Sequence, residues 1–180
     1  MPERRFENAA PSPWRVPIAV EDVAETGQRF DLIADAAERA AVAKIAGLRG
    51  LLRLQANFEV MRHGTAGLHV VGQVSATVEQ TCVITLEQLA NEVVEQIDLI
   101  FAPIQAEGGE AQVPVAKLDE TEPLIDGSID LGALAVEFVI LGLDPYPRKP
   151  GAVFEPLPDA KQQPGPFAAL AVLKKGGNDR

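Results

Sequence analysis

The chain contains one cysteine, Cys82, two histidines, one tryptophan and one tyrosine, and each scarcity closes off a class of chemistry. A single cysteine forbids an intrachain disulfide, so the sequence does not read as a stapled secreted domain and agrees with a reducing compartment. One cysteine and two histidines fall short of the roughly three or four clustered ligands of a structural zinc site, and no metal is expected. There is no glycine-rich loop ending in Lys-Ser or Lys-Thr and no Gly-x-Gly-x-x-Gly after a strand, so phosphate cofactors lack their cradle and no cofactor is expected. No apolar run approaches the roughly 20 residues that cross a bilayer, and the first eight residues lack the apolar centre of a signal peptide. A cytoplasmic protein with no membrane partner is the expectation.

What is present is ordinary globular composition, 180 residues of which 47% are hydrophobic and 23% charged, enough for one core. The formal net charge of -10 is uneven: residues 84–137 hold twelve acidic side chains against one basic, Lys117. Residues 1–83 carry nine basic and ten acidic, and residues 138–180 six against four. The acidic segment repels phosphate backbones and attracts basic partners, so DNA is excluded as a partner and RNA contact through this segment is disfavoured; RNA contact elsewhere stays open. A plain solubilising surface would give the same count. The basic pairs Arg148-Lys149 and Lys174-Lys175 are too small for a nucleic-acid face, which calls for a broad basic surface with stacking aromatics.

Periodicity sets the fold class. Val16, Ile18 and Val20 alternate in a segment that Pro17 confines to an edge or terminal strand. Asp35 and Glu38 form a capping box ahead of an alanine-rich helix over residues 36–46, with Gly47 as its stop. Leu52, Leu54, Ala56, Phe58 and Val60 share one face of a strand, and Val70, Gly72, Val74, Ala76 and Val78 one face of the next, with a glycine turn between. Val93, Ile97, Leu99 and Phe101 mark a third strand. Residues 102–126 are rich in Pro, Gly, Glu and Asp and predict a long mobile acidic loop. Asp130 caps a helix over residues 131–141 that is apolar nearly all round, so it is buried on several sides or meets a partner. The prolines at 145, 147 and 150 then enforce an extended arm. The expected architecture is α+β: an antiparallel, barrel-like sheet with two main helices in residues 1–150, then a proline-rich linker and a short C-terminal helical peptide in residues 151–180.

Few residues suit catalysis. Cys82 with His63 or His69 as base is one arrangement, but Cys82 falls in the inward phase of its strand, where a thiol behaves as a small hydrophobe. Acidic pairs concentrate in the loop expected to move, where preorganisation is hardest to keep. No catalytic residue and no enzyme activity are expected. Asp130, Glu137, Asp144, Tyr146, Pro147 and Arg148 form a candidate partner-binding set, a charged residue on an apolar helix beside a stiff proline arm. The same residues also serve as a plain helix cap and stop.

Three stretches together resemble the YceD family, the large ribosomal RNA subunit accumulation proteins of bacteria and plastids. They are the ten residues from Val78 to Glu87, then Ile129-Asp130-Leu131-Gly132 through Glu137-Phe138 to Leu143-Asp144-Pro145-Tyr146-Pro147, and Pro166-Phe167-Ala168-Ala169-Leu170. The family pattern often has Cys-x-x-Cys followed by Leu-Glu-Pro. Here Cys82 is followed by Thr85, then Leu86, Glu87 and Gln88, so Cys82, Thr85 and Glu87 are motif residues without an assigned role. The resemblance implies a part in the synthesis, processing or stability of large-subunit ribosomal RNA. Joined to the charge map, it points to a basic ribosomal protein or a pre-ribosomal large subunit as partner. The competing expectation is a barrel-like pocket for a small apolar ligand.

Overall fold

The computed structural model describes residues 12–103, 121–124 and 126–154. The chain separates into two compact units, Met1–Lys149 and Pro150–Arg180. The helical peptide expected over residues 167–175 falls outside the described residues.

Alternating side chains build three long strands, β3 (Gly50–His63), β4 (Gly67–Thr81) and β5 (Gln88–Pro103), joined as an antiparallel meander. Gly64 closes the first turn with φ 62°, a conformation that costs glycine little. Leu54, Phe58 and Val60 of β3 share the buried face with Val70, Val74 and Val78 of β4 and Ile97 of β5. Gly72 lies opposite Phe58 on that face, and a Cβ there would stand 2.6 Å from the ring. The glycine therefore leaves the room that Phe58 fills.

β2 (Gln28–Ile33) pairs with β3, and β6 (Thr121–Leu124) pairs in parallel with β5, giving one five-stranded sheet in the order β2-β3-β4-β5-β6. Among the described residues the barrel-like closure expected from the sequence is absent. Closure would need the edges β2 and β6, six and four residues long, to meet. The inner face is instead covered by α1 (Ala36–Ile45), packed on β3, and α2 (Leu131–Leu141), packed on β4 and β5. The described residues thus form no barrel interior of the kind an apolar ligand would enter. The α+β class with two helices stands. At both ends of the stretch expected as an acidic loop the structure has strand instead, since Ala102 and Pro103 finish β5 and Thr121–Leu124 is β6; residues 104–120 lie outside the described residues. One side chain of β3 also departs from expectation. Leu52 is 55% exposed, because a β-bulge between Leu51 and Arg53 inserts an extra residue and flips the phase below it.

Helix α1 carries the full capping box: Glu38 N–H donates to Asp35 Oδ1 at 2.8 Å, and Asp35 N–H to Glu38 Oε2 at 2.7 Å. Gly47, φ 65°, turns the chain out of the helix. At the other helix, Asp130 Oδ1 accepts N–H groups from Gly132 and Ala133, both at 3.1 Å, and from Val16 at 2.8 Å. Leu131 N–H returns to the Val16 carbonyl at 3.0 Å. β1 (Pro17–Ala19) and β7 (Ser128–Asp130) pair beside this knot as a separate two-stranded sheet. Gly132 permits it, since a Cβ there would meet the Trp14 carbonyl at 2.7 Å.

Asp130→Ala removes a cap and strands the Val16 N–H, and it should lower the free energy of unfolding by about 2 kcal/mol. Urea denaturation monitored by far-UV circular dichroism measures it; a loss under about 0.5 kcal/mol would mean that the carboxylate does not hold the N-terminal strand.

Candidate functional site

The turn between β4 and β5, residues 82–87, is shaped by its own backbone. Cys82 N–H donates to the Glu87 carbonyl at 2.8 Å, Leu86 N–H to the Cys82 carbonyl at 3.0 Å, and Leu86 adopts φ 60° to complete the loop. Leucine in this region is strained, and the strain sets a 76% exposed apolar side chain at the tip.

The extended arm after α2 is bound to this turn. Val83 N–H donates to the Pro147 carbonyl at 2.9 Å, Gln80 Nε2 to the Asp144 carbonyl at 2.9 Å, and Lys149 N–H to Cys82 Sγ at 3.3 Å. Asn91 Nδ2 steadies Gln80 from β5 at 2.9 Å. Asp144 folds the arm by accepting the Tyr146 N–H at 2.8 Å. Lys149 Nζ reaches Glu87 Oε2 at 2.8 Å, and the Thr85 hydroxyl donates to the same oxygen at 3.0 Å. The Glu87 carboxyl is held below its usual range, first by its hydrogen bond from Lys149 and then by the Thr85 hydroxyl; the Lys149 ammonium is raised, first by its bond to Glu87.

Cys82 is fully buried at the centre of this junction. Thr85 and then the Lys149 N–H lower its thiol from 9.0 to about 6 against the opposing effect of burial; the N–H groups of Thr85 and Lys149 stand 3.4 and 3.3 Å from the sulfur. The expected small hydrophobe is therefore a hydrogen-bonded sulfur tying turn to arm. Neither histidine can serve it as base: His69 lies thirteen residues back along β4, roughly 40 Å at strand rise, and bonds Asp98 at 2.6 Å. His63 is further still, at the end of β3. Among the described residues no group of three metal-ligating side chains occurs.

The structure brings Cys82, Thr85 and Glu87 together with Asp144, Tyr146, Pro147 and Arg148. Tyr146 is 68% exposed and Arg148 is exposed, whereas Pro147 is buried and its carbonyl engaged. Asp130 stands at the opposite end of α2, roughly 16 Å away along the helix, committed to its cap and to Val16. Glu137 lies on the outer strip of α2 with the exposed Ile140 and Leu141. Sequence reasoning missed Lys149 and Gln80, whose partners are 62 and 64 positions away with no local pattern to reveal them.

A family model described as "Large ribosomal RNA subunit accumulation protein YceD" matches residues 70–174, which include most of β4 and all of β5, α2, the turn and the arm. No curated protein and no solved structure matches the chain. No described helix is long and apolar enough to cross a membrane.

Lys149→Pro removes the N–H that the arm donates to the sulfur, one support of the low thiol value. Titration of thiolate absorbance near 240 nm should give a midpoint close to 6 in the parent protein and one displaced toward 9 in the variant. Between those values the unfolded chain binds the proton that the folded chain has lost, so stability relative to Cys82→Ala should climb from pH 6 to 9 and be lost as pH falls through 6. A flat difference across that window would refute the assignment.

Proposed function

The chain belongs to the YceD family of large ribosomal RNA subunit accumulation proteins, and from that premise we propose that it is a non-enzymatic cytoplasmic factor that supports ribosomal RNA accumulation by docking a basic ribosomal protein of the large subunit or of its precursor. The observation that carries this reading is the surface at the C-terminal end of α2. Glu137, Ile140 and Leu141 are exposed there, and Tyr146 follows on the arm. Glu137 and Glu95 make no ion pair with any described residue. Glu95 runs beneath the end of the helix, where a Cβ on Gly142 would meet its carboxylate.

This helix end is negative twice over. The macrodipole concentrates negative charge at the last carbonyls, no basic residue occupies the last turn, and a carboxylate is added beside it. The isolated protein gains nothing from that arrangement, whereas a cationic side chain arriving from a partner would be attracted by the dipole and both carboxylates. The neighbouring apolar side chains give a basic segment its contact area. Among the candidate contact residues the exposed members, Glu137, Asp144, Tyr146 and Arg148, form the docking surface, while Asp130 and Pro147 hold it in place.

Sucrose-gradient fractionation of cell lysate tests this. The protein should co-migrate with large-subunit precursors at low salt and leave them at moderate salt, and Glu137→Lys with Tyr146→Ala should reduce the co-migrating fraction by about tenfold. Confinement to free fractions at every salt concentration would sink the proposal.

A further inference from the structure

Away from the acidic half of the chain, α1 and the start of β3 enclose a groove of about 550 Å³ lined by Arg39, Lys44 and Arg49, with no carboxylate among its lining residues. Ala36, Ala40 and Ala43, on one face of α1, also line it, so methyl groups rather than long side chains occupy the helix wall between the cations. Backbone contacts set the two arginines in position. Arg39 Nη1 donates to the Ala34 carbonyl at 2.7 Å, which fixes one edge of its guanidinium and leaves other N–H groups to donate. Gly47 ends the helix and returns the chain toward β3, where Arg49 N–H is held by the Glu79 carbonyl at 3.1 Å.

None of the three cations forms an ion pair with a described residue. Glu38, the acid nearest in sequence on α1, turns back to cap Asp35. Arg53, four residues beyond Arg49, is tied to Thr77, Ser75, Gln55 and Glu92. The carboxylate that does approach is Glu79, which abuts Gly50 at one edge of the groove. In a chain with a formal net charge of -10, three cations without an ion pair lining one open groove, with a single carboxylate at its edge, make a locally positive surface in an acidic protein. Two guanidinium forks and an ammonium match the geometry and charge of phosphate oxygens.

We propose that the groove between α1 and β3 binds phosphate groups of an RNA backbone. The choice of RNA among phosphate carriers rests on the family reading; the groove itself does not, since its residues precede the matched stretch. The molecule then has a negative surface for a basic protein and a separate positive groove for RNA.

Fluorescence anisotropy of the full chain with a labelled single-stranded RNA of about twelve nucleotides tests it. Neutralising about three phosphates predicts a slope of about −2 in log K against log salt, a loss of roughly twentyfold between about 50 and 200 mM KCl. Lys44→Gln and Arg49→Gln should each reduce the slope by about 0.7, and the double variant should weaken binding at least tenfold at about 50 mM, with circular dichroism unchanged because both side chains are exposed. Arg29→Gln, in a different groove, should leave affinity as it was. No anisotropy change at about 50 mM KCl overturns the proposal, as does a double variant that binds like the parent. Poly-glutamate competing as well as unlabelled RNA also overturns it, in favour of an acidic protein ligand. Failure here leaves the gradient result with Glu137→Lys unaffected, so the two readings fall separately.

Discussion

Asp130 holds α2 by the N–H groups of its first turn and holds the N-terminal segment by the N–H of Val16, so one carboxylate decides where two elements far apart in sequence meet. The geometry depends on closeness of backbone to backbone, which Gly132 supplies against Trp14. With α2 fixed at that end, its apolar residues Leu131, Ala135 and Val139 are directed onto the sheet, and its opposite end delivers the arm to the β4–β5 turn. The surface at the C-terminal end of α2 is thus positioned by an interaction at the far end of the helix.

How much of this was legible follows from the range of each interaction. The strand pattern of β3 from Leu54 onward, the capping box at Asp35 and Glu38 and the cap at Asp130 are local, and local rules found them. Leu52 defeated the same rule, because a bulge changes the phase without changing the composition. β2 escaped notice because Phe30 and Leu32 are its only core-facing apolar residues, and β6 because Glu122 and Pro123 sit inside it, which only an edge strand tolerates. At the turn, the thiol was expected to be buried, and it is; the hydrogen bonds that polarise it come from Thr85 and from Lys149, the latter 67 positions away. The cationic groove had no signature at all. Arg39, Lys44 and Arg49 are unremarkable until the helix stop at Gly47 folds them around one space.

Charge is distributed by element rather than averaged over the surface. On the outward side of the sheet, Arg53 and Glu92 neutralise each other, with Thr77 donating to Glu92, and His69 meets Asp98. The Arg53–Glu92 pair removes local charge from the middle of the sheet. Among the unpaired charges of the described residues are carboxylates near the end of α2 and cations beside α1. Exposed pairs of this kind add little to stability, so their main effect is on the field that an approaching molecule meets.

The contact between Val16 and Asp130 spans 114 residues, whereas β2 to β5 pair with their neighbours in sequence. Short-range pairings form early and long loops close late, so during folding the meander precedes the joining of β1 to β7. On a translating ribosome the N-terminal strand must wait for residue 130 to emerge, and until then the inner face of the meander lacks α2 and stays open to solvent. Completion of the domain is thereby timed by the synthesis of its own C-terminal third.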